Sequence, residues 1–177
     1  MKNMYTFIRN ASEADLPAIM ELLALLAEFD GCRDAFVATE DQLRQALFSS
    51  SPRAQVLLAT VDGQAIGLAT YFPTFSTWQA KPGIWLDDLY VREGYRNRGV
   101  GKALLAELAR TARRLGCVRI DWVVAASNGR GIAFYERQGA TVYHRSRCVR
   151  LGAAGIERLA EAVSQADTSD VQESTSG

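Results

Sequence analysis

The sequence predicts a single α/β domain built on a mixed sheet with helices on both of its faces. Two observations carry this prediction. Asp62-Gly63 separates two apolar runs and is a strong hairpin signal, which indicates antiparallel strands in the first half of the chain. The second half then reads as strand, helix, strand, helix and strand, an order typical of a sheet covered on both sides.

One strand and two helices are predicted before the hairpin. Tyr5–Arg9 forms the first strand. A helix opens at Leu16-Pro17 and ends at residues 28–31, and its apolar positions recur at helical spacing: Ile19, Leu22, Leu23 and Leu26. A capping box, in which Thr39 caps the start of the helix and Gln42 bonds back, predicts the second helix.

The hairpin strands are predicted over Ala54–Val61 and Gln64–Phe72, and a third strand over Ile84–Val91. A helix follows from Lys102 to Leu115, with Gly116 as its left-handed cap. Val118–Val124 is expected to return to the sheet as another strand.

The remaining chain is predicted to hold two helices and a final strand. The expected elements are a helix over Ile132–Gln138, a strand that starts at Ala140–Tyr143 and resumes at Arg147–Leu151, and a terminal helix over Ile156–Val163. Residues 164–177 are polar enough to form a mobile tail. The expected organisation is therefore one domain over residues 1–163 and a tail over 164–177.

Composition excludes several classes of protein. The 20 Lys and Arg residues balance 20 Asp and Glu residues among 177, so the charge pattern that nucleic-acid binding requires is absent. The three cysteines, Cys32, Cys117 and Cys148, form no CxxC pair and suggest neither a disulfide framework nor a zinc site, which favours a reducing cytoplasm. No apolar run has signal or membrane-spanning length, so we expect a soluble protein without a membrane partner.

A glycine-bearing loop joins the strand that ends at Val91 to the helix that follows. Glycines at 99 and 101 precede that helix, so unpaired N–H groups converge at the positive end of its dipole, a geometry that binds phosphate or pyrophosphate. ATP is disfavoured because Ala103, with no hydroxyl for magnesium, follows Lys102. NAD is disfavoured because Leu104 replaces the third glycine of the dinucleotide motif.

Residues 96–101, Arg-Asn-Arg-Gly-Val-Gly, resemble the Arg/Gln-x-x-Gly-x-Gly/Ala loop of the GNAT superfamily of N-acetyltransferases. Leu89-Tyr90-Val91 is similar to the strand before that loop. The resemblance implies a GNAT-like fold with a central, twisted and mostly antiparallel sheet, and acetyl-CoA as co-substrate without a metal. The implied acetyl-CoA contacts are the strand backbone of Leu89 and Val91 and the loop residues Arg96, Asn97, Arg98, Gly99, Val100, Gly101 and Lys102.

A second GNAT-like signature lies downstream at the expected distance. It consists of Trp122-Val123-Val124, Ser127-Asn128 and residues 133–140. The resemblance implies that Asn128 hydrogen-bonds the pantetheine arm and that Tyr135 stands near the CoA sulfur, where it protonates the departing thiolate. The alternative is that Tyr135 is only a core aromatic beside Phe134, as helix aromatics usually are; its match in position favours the catalytic role.

Residues 75–89 resemble the Trp- and Lys-containing stretch before the acidic pair of diamine (spermidine/spermine) and thialysine N-acetyltransferases. The resemblance covers nearly the whole chain except the tail, and it implies a small primary amine as substrate and a homodimer. Two positions depart from these enzymes, since Asp87 stands where they often carry Glu and Asn97 where they carry Gly.

Asp87 and Asp88 are the candidate bases, because a carboxylate can attract an alkylammonium and accept its proton. Adjacent strand residues point to opposite faces, so one of the two should face the acetyl group unless a bulge turns the strand. We favour Asp87, with Asp88 in support. The alternative is that both belong to a solvated strand end.

Four further residues are candidates for binding the amine. Glu28 and Asp30 could line a cation-binding groove, although charges after a helix are more often solvated. Trp78 and Trp85 could wall the amine pocket, pack in the fold or form a dimer surface. The single histidine, His144, lies beside Arg145 and is a poor candidate for the base.

The leading functional hypothesis is direct acetyl transfer from acetyl-CoA to a primary amine of a polyamine, a diamine or a thialysine-like amino acid. One alternative is acetylation of protein or peptide amines, which requires an open peptide groove. The other is a non-catalytic acyl-CoA sensor that has lost its acid–base residues. Retention of Asp87, Asp88 and Tyr135 weighs against the sensor.

Overall fold

The computed structural model describes residues 5–162. Its strands are β1 (Phe7–Asn10), β2 (Gln55–Val61), β3 (Gln64–Ser76), β4 (Lys81–Val91) and β5 (Ile120–Asp121). Its helices are α1 (Leu16–Phe29), α2 (Glu40–Phe48), α3 (Val100–Arg114) and α4 (Gly129–Arg137), and residues 153–162 are also helical. The contacts within the chain divide it between residues 134 and 135 into two compact units.

The five strands form one sheet in the order β1-β2-β3-β4-β5. The pairs from β1 to β4 are antiparallel, whereas β5 runs parallel to β4. Positive φ angles of 50° at Asp62 and 80° at Gly63 turn β2 into β3, as a two-residue hairpin requires. The prediction of a mixed, mostly antiparallel sheet is confirmed.

Helices cover both faces of this sheet, as predicted. On one face, Leu104 and Leu108 of α3 pack against a core cluster that contains Ile66 of β3. On the other face, Ile19 and Leu22 of α1 pack with strand residues such as Leu58 and Leu68. Complete burial of each such leucine or isoleucine stabilises the fold by about 1.5–3 kcal/mol. The regularly spaced apolar residues of α1 and α3 therefore hold these helices against the sheet.

The start of α2 confirms the capping box. The backbone N–H of Gln42 donates to Thr39 Oγ1 at 3.3 Å, and the backbone N–H of Thr39 donates to Gln42 Oε1 at 2.9 Å. Two helix-end donors are thereby satisfied by local side chains, which is why the sequence pattern alone located this boundary.

A bulge in β4 reverses which face its side chains occupy. Thr70 of β3 pairs with Asp88 and Tyr71 with Leu86, so Asp87 is an extra residue without a cross-strand partner. Before the bulge, Leu86 lies in the cluster beneath α3. After it, Tyr90 lies in the cluster beneath α1. Asp88, two residues before Tyr90, consequently lies on the α1 face of the sheet.

Several predicted strand boundaries are wrong. The strand expected over Val118–Val124 is reduced to β5, and its ladder with β4 ends at Trp85 and Asp121. The bulge at Asp87 follows shortly afterwards in β4. Because a bulge bends its strand, β4 and β5 diverge there. Conversely, β3 and β4 extend further than expected, to Ser76 and from Lys81.

The final strand is the other incorrect prediction. Residues 140–143 and 147–151 have no strand pairing within the described part of the chain, although their sequence is rich in β-forming side chains. β-propensity reflects the fit of a residue into a paired sheet and does not itself supply a partner strand. The helix expected over Ile156–Val163 is present over residues 153–162, and the predicted tail over 164–177 lies outside the described residues.

Candidate active site

A pocket of about 260 Å³ opens between the C-terminal end of α1 and β4. Its walls are mainly apolar, and two carboxylates, Asp30 and Asp88, lie among them. The other lining residues are Leu23, Leu26, Ala27, Cys32, Ala35 and Phe36. An apolar cavity with acidic groups fits an aliphatic or aromatic chain that bears a positive charge.

Asp88 is tied to the neighbouring strand by two hydrogen bonds. The hydroxyl of Thr70 donates to Asp88 Oδ2 at 2.6 Å, and the backbone N–H of Asp88 donates to Thr70 Oγ1 at 3.1 Å. Thr70 is itself only 7% exposed. The carboxylate is therefore oriented by a buried side chain rather than by solvent.

Burial raises the pKa of Asp88 above its ordinary value. The hydrogen bond from Thr70 opposes this effect, and the negative charges of Asp87 and Asp30 add to it. A carboxylate with a raised pKa is a stronger base, and its pKa lies closer to that of an amine. Asp88 thus combines access to the pocket with the electrostatics expected of a proton acceptor.

Asp87 has a different environment. It is exposed, and its Oδ1 accepts a hydrogen bond from Trp85 Nε1 at 3.2 Å. Its carboxylate is not among the groups that line the pocket. The geometry therefore favours Asp88 over Asp87 as the group that meets an amine bound in this pocket.

The structure brings one of the other four substrate-binding candidates, Asp30, to the pocket. Glu28 is instead 3.7 Å from the Nε atom of Arg33. Trp78 is 99% exposed at the turn between β3 and β4. Trp85 stacks on Phe72 with 6.4 Å between the ring centroids, which corresponds to the packing alternative for this residue.

The glycine loop leads into α3 through two left-handed backbone positions. Gly99 has φ of 84° and begins α3 without a side-chain cap, and Asn97 is also left-handed with φ of 60°. No acidic residue occupies the first turn of α3. A Cβ atom at Gly101 would lie 3.4 Å from the ring of Phe134, so a small residue is favoured there. The amides of the first turn can therefore receive an anion.

The side chain of Arg96 contacts other residues of the protein. Its Nε donates to the backbone carbonyl of Val91 at 2.8 Å, and its guanidinium lies over the rings of Phe29 and Tyr90. The guanidinium of Arg98 lies 5.9 Å from the ring centroid of Tyr95. Lys102 is exposed on the first turn of α3.

The backbone of Leu89 and Val91 is directed away from β3. The N–H of Arg92 bonds to the carbonyl of Ile66, and hydrogen-bonded positions alternate along an antiparallel pair. The polar groups of Leu89 and Val91 therefore face the side of β4 where β5 has already diverged. Apart from the Val91 carbonyl, which accepts from Arg96 Nε, the backbone groups at this edge are available to an extended ligand.

Asn128 and Tyr135 belong to opposite ends of α4. Asn128 Oδ1 accepts the backbone N–H of Gly131 at 2.8 Å, so its carboxamide caps the helix. Tyr135 is half-buried near the helix end, and its backbone carbonyl accepts the N–H groups of Gln138 and Ala140. The Asn128 side chain is thereby held at the start of a short helix.

Two kinds of feature are absent from residues 5–162, the part of the chain that the structure describes. No group of three or more His, Cys, Asp or Glu side chains is arranged to hold a metal ion. None of the helices described there is long and apolar enough to span a membrane.

Sequence reasoning missed Thr70 and the pocket wall formed by Cys32, Ala35 and Phe36. Thr70 lies 18 residues from Asp88 in the chain, and its only sequence signal was its position in a predicted strand. The segment from Cys32 to Phe36 forms a short 3₁₀ turn with no motif of its own. Contacts of this kind become visible only once α1 and the sheet are packed together.

Comparison with protein families matches residues 18–140 to the acetyltransferase (GNAT) family. An L-ornithine N5-acetyltransferase of Arabidopsis thaliana is 28% identical over 201 residues, which covers 88% of each chain. A thialysine N-epsilon-acetyltransferase of Sus scrofa is 30% identical over 141 residues, covering 75% of this chain and 82% of its own.

Solved structures share the fold at lower identity. An integron cassette protein from the mobile metagenome of V. cholerae superposes with a TM-score of 0.74 at 24% identity, covering 89% of this chain and 99% of its own. An aminoglycoside acetyltransferase from an uncultured soil metagenomic sample gives a TM-score of 0.68 at 17% identity, with 82% and 97% coverage.

Proposed function

Since this chain belongs to the acetyltransferase (GNAT) family and is an N-acetyltransferase of that type, we propose that its acetyl donor is acetyl-CoA and its acceptor a small primary amine. The acceptor class is a diamine, a polyamine or a thialysine-like amino acid. The observation that carries this proposal is the apolar pocket that holds Asp30 and Asp88. The named substrates of the similar enzymes, ornithine and thialysine, are likewise small amines.

The central difficulty of the reaction is removal of a proton from the amine. An alkylamine with a pKa of about 10.4 is free base to about one part in 2,500 at pH 7, a deficit of roughly 4.6 kcal/mol. Desolvation in the pocket lowers the pKa of the amine, while burial raises the pKa of Asp88. Both changes reduce the free energy of proton transfer.

In the proposed reaction, Asp88 accepts the amine proton, either directly or through water. Asp87, the base favoured from the sequence, then has the supporting role because it lies outside the pocket lining. Asp30 binds the positive charge of the substrate, which is a second ammonium group when the substrate is a diamine. The free amine then attacks the acetyl carbon directly, with no covalent bond to the enzyme.

The remaining roles are proposed from the family motifs. Amides of residues 96–102 hold the pyrophosphate, and the backbone of Leu89 and Val91 binds the pantetheine and acetyl groups. Backbone amides near Val91 then stabilise the oxyanion that develops on the carbonyl oxygen. Asn128 binds the pantetheine arm, and Tyr135 donates a proton to the departing thiolate.

The oligomeric state and location of the protein are part of the same proposal. By their resemblance to diamine and thialysine acetyltransferases, residues 1–163 would act as one catalytic domain in a homodimer. The three cysteines are all free in the described structure, which supports a reducing, cytoplasmic environment.

Thiol release from acetyl-CoA tests this function directly. The acceptors are putrescine, spermidine, ornithine, thialysine, lysine and a lysine-containing peptide, each assayed with wild type and with Tyr135→Phe. We expect turnover with at least one small amine and a strong reduction of kcat in the variant. Preference for the peptide supports the protein acetyltransferase instead, and acetyl-CoA binding without turnover of any amine supports the sensor.

A further inference from the structure

We propose that Thr70 is a positioning residue for catalysis, which holds one carboxylate oxygen of Asp88 from the neighbouring strand so that the other oxygen can meet the amine. This inference rests on the proposed function, in which Asp88 is the base. No motif in the sequence marks Thr70, and its role follows from the geometry of β3 and β4.

The first observation is the pair of hydrogen bonds between the two residues. Thr70 Oγ1 accepts the backbone N–H of Asp88 at 3.1 Å, and its own hydrogen is donated to Oδ2 of the same residue at 2.6 Å. Because one oxygen atom both accepts and donates, the direction of the hydroxyl hydrogen is set. Bonding of Thr70 to the backbone and to the side chain of Asp88 restricts rotation of the carboxylate.

The second observation is the bulge. Asp87 has no partner on β3, and the pairing resumes with Thr70 opposite Asp88. A strand is locally weakened where a residue is inserted, so a side-chain bond across the next pair stabilises the altered register. Thr70 thus supports the turn of β4 that brings Asp88 to the α1 face of the sheet.

The third observation is the charge around Asp88. The titratable groups near it are Asp87 on the same strand, Asp30 at the end of α1, and Cys32 in the pocket wall. None of the described residues that line the pocket is a cation. Burial and the two aspartates raise the pKa of Asp88, whereas the bond from Thr70 lowers it. The hydroxyl therefore stabilises the ionised form of Asp88 and partly offsets the effect of burial.

The proton path follows from these contacts. Thr70 occupies Oδ2, and within the described residues no hydrogen bond is found to Oδ1 of Asp88. In the proposed step, the N–H bond of the substrate ammonium breaks, its electron pair stays on nitrogen, and the proton is bound by Oδ1. Thr70 gains and loses no proton, so its role is to position Asp88 and not to act as an acid or a base.

Three threonine variants and one aspartate variant test this inference. Thr70→Val removes the hydroxyl but keeps the β-branched shape, and Thr70→Ser keeps the hydroxyl. Thr74→Val is the matched control, because Thr74 is on the same strand and its buried Oγ1 has no hydrogen-bond partner among the described residues. Asp88→Asn tests the proposed base itself. For each variant, kcat/KM is measured against pH with one amine, alongside thermal unfolding.

Thr70→Val is expected to move the acidic limb of the kcat/KM profile to higher pH and to lower kcat/KM roughly tenfold at neutral pH. Thr70→Ser should restore the wild-type profile, and Thr74→Val should not alter it. A folded Thr70→Val protein with an unchanged limb overturns the positioning role. If Asp88→Asn retains activity with an unchanged profile, Asp88 is not the base. The Asp88 variant therefore tests the proposed function, and the Thr70 variants test the positioning role separately.

Discussion

The guanidinium carbon of Arg96 lies 4.5 Å from the centroid of the Phe29 ring. Phe29 is the last residue of α1 and immediately precedes Asp30, whereas Arg96 opens the glycine loop before α3. The same guanidinium lies 5.3 Å from the ring of Tyr90 in β4 and donates to the carbonyl of Val91. One side chain therefore joins the proposed acetyl-CoA loop to the end of α1, next to Asp30 of the pocket.

We expect Arg96→Lys to raise the KM for acetyl-CoA and the KM for the amine together. Lysine keeps the charge but loses the planar contact with the rings and the Nε donor. The loss of about 1–2 kcal/mol corresponds to a change of about five- to thirtyfold. Arg113→Lys, at the exposed end of α3, is the matched control. Unchanged KM values for both substrates would contradict the coupling.

The two adjacent aspartates should differ strongly in their effect on catalysis. Asp88→Asn removes the proposed base and is expected to lower kcat about 10²- to 10⁴-fold, the range typical of general base catalysis. Asp87→Asn should lower it less than tenfold, because Asp87 is exposed and bonded to Trp85. Steady-state kinetics at a fixed pH measures both effects. A larger loss in Asp87→Asn would return the role of base to the residue favoured from the sequence.

Asp30→Asn should move the acidic limb of the kcat/KM profile to lower pH. The negative charge of Asp30 raises the pKa of Asp88, so its removal lowers that pKa and the carboxylate form persists into more acidic solution. The KM for a diamine should rise in the same variant, since a carboxylate that lines the pocket is lost. Glu28→Gln, which removes a carboxylate paired with Arg33, is the control. A limb displaced to higher pH would show that Asp30 acts in some other way.

Gly67→Ala should destabilise the fold because a Cβ atom there would lie 2.7 Å from the backbone carbonyl oxygen of Tyr90. Backbone atoms in a paired sheet cannot move away freely, so we expect a loss of about 1–3 kcal/mol in the free energy of unfolding. Denaturant unfolding measures this loss. Gly94→Ala provides the comparison, since nothing lies within 4 Å of its added Cβ, and equal stability of the two variants would refute the steric argument.

Elements with local signals were predicted well. The hairpin at Asp62-Gly63 and the capping box of Thr39 and Gln42 depend on residues that are adjacent or three apart, and both are present in the structure. The final strand was predicted wrongly because residues 140–143 have no strand partner in the described chain. A strand is a property of two segments, and one segment shows only its propensity.

The residues of the candidate site show the same difference between local signals and contacts made by distant segments. The glycine loop and Asn128 could be proposed from the sequence because backbone amides and a helix cap are positioned by neighbouring residues. Thr70 and Phe36 had no signal, because their importance depends on contacts with segments distant in the chain. The sequence could not tell whether Glu28 or Asp30 lines the pocket. In the structure, Asp30 lines it and Glu28 pairs with Arg33.

The sequence by itself determined the family of this protein, the position of its glycine loop and the acidic pair in β4. The tertiary structure alone decided which aspartate of that pair faces the pocket. The reason is that side chains alternate between faces along a strand, so one inserted residue exchanges the faces of all that follow. The insertion at Asp87 is defined only by the pairing of β4 with β3, and that pairing brings Thr70 opposite Asp88.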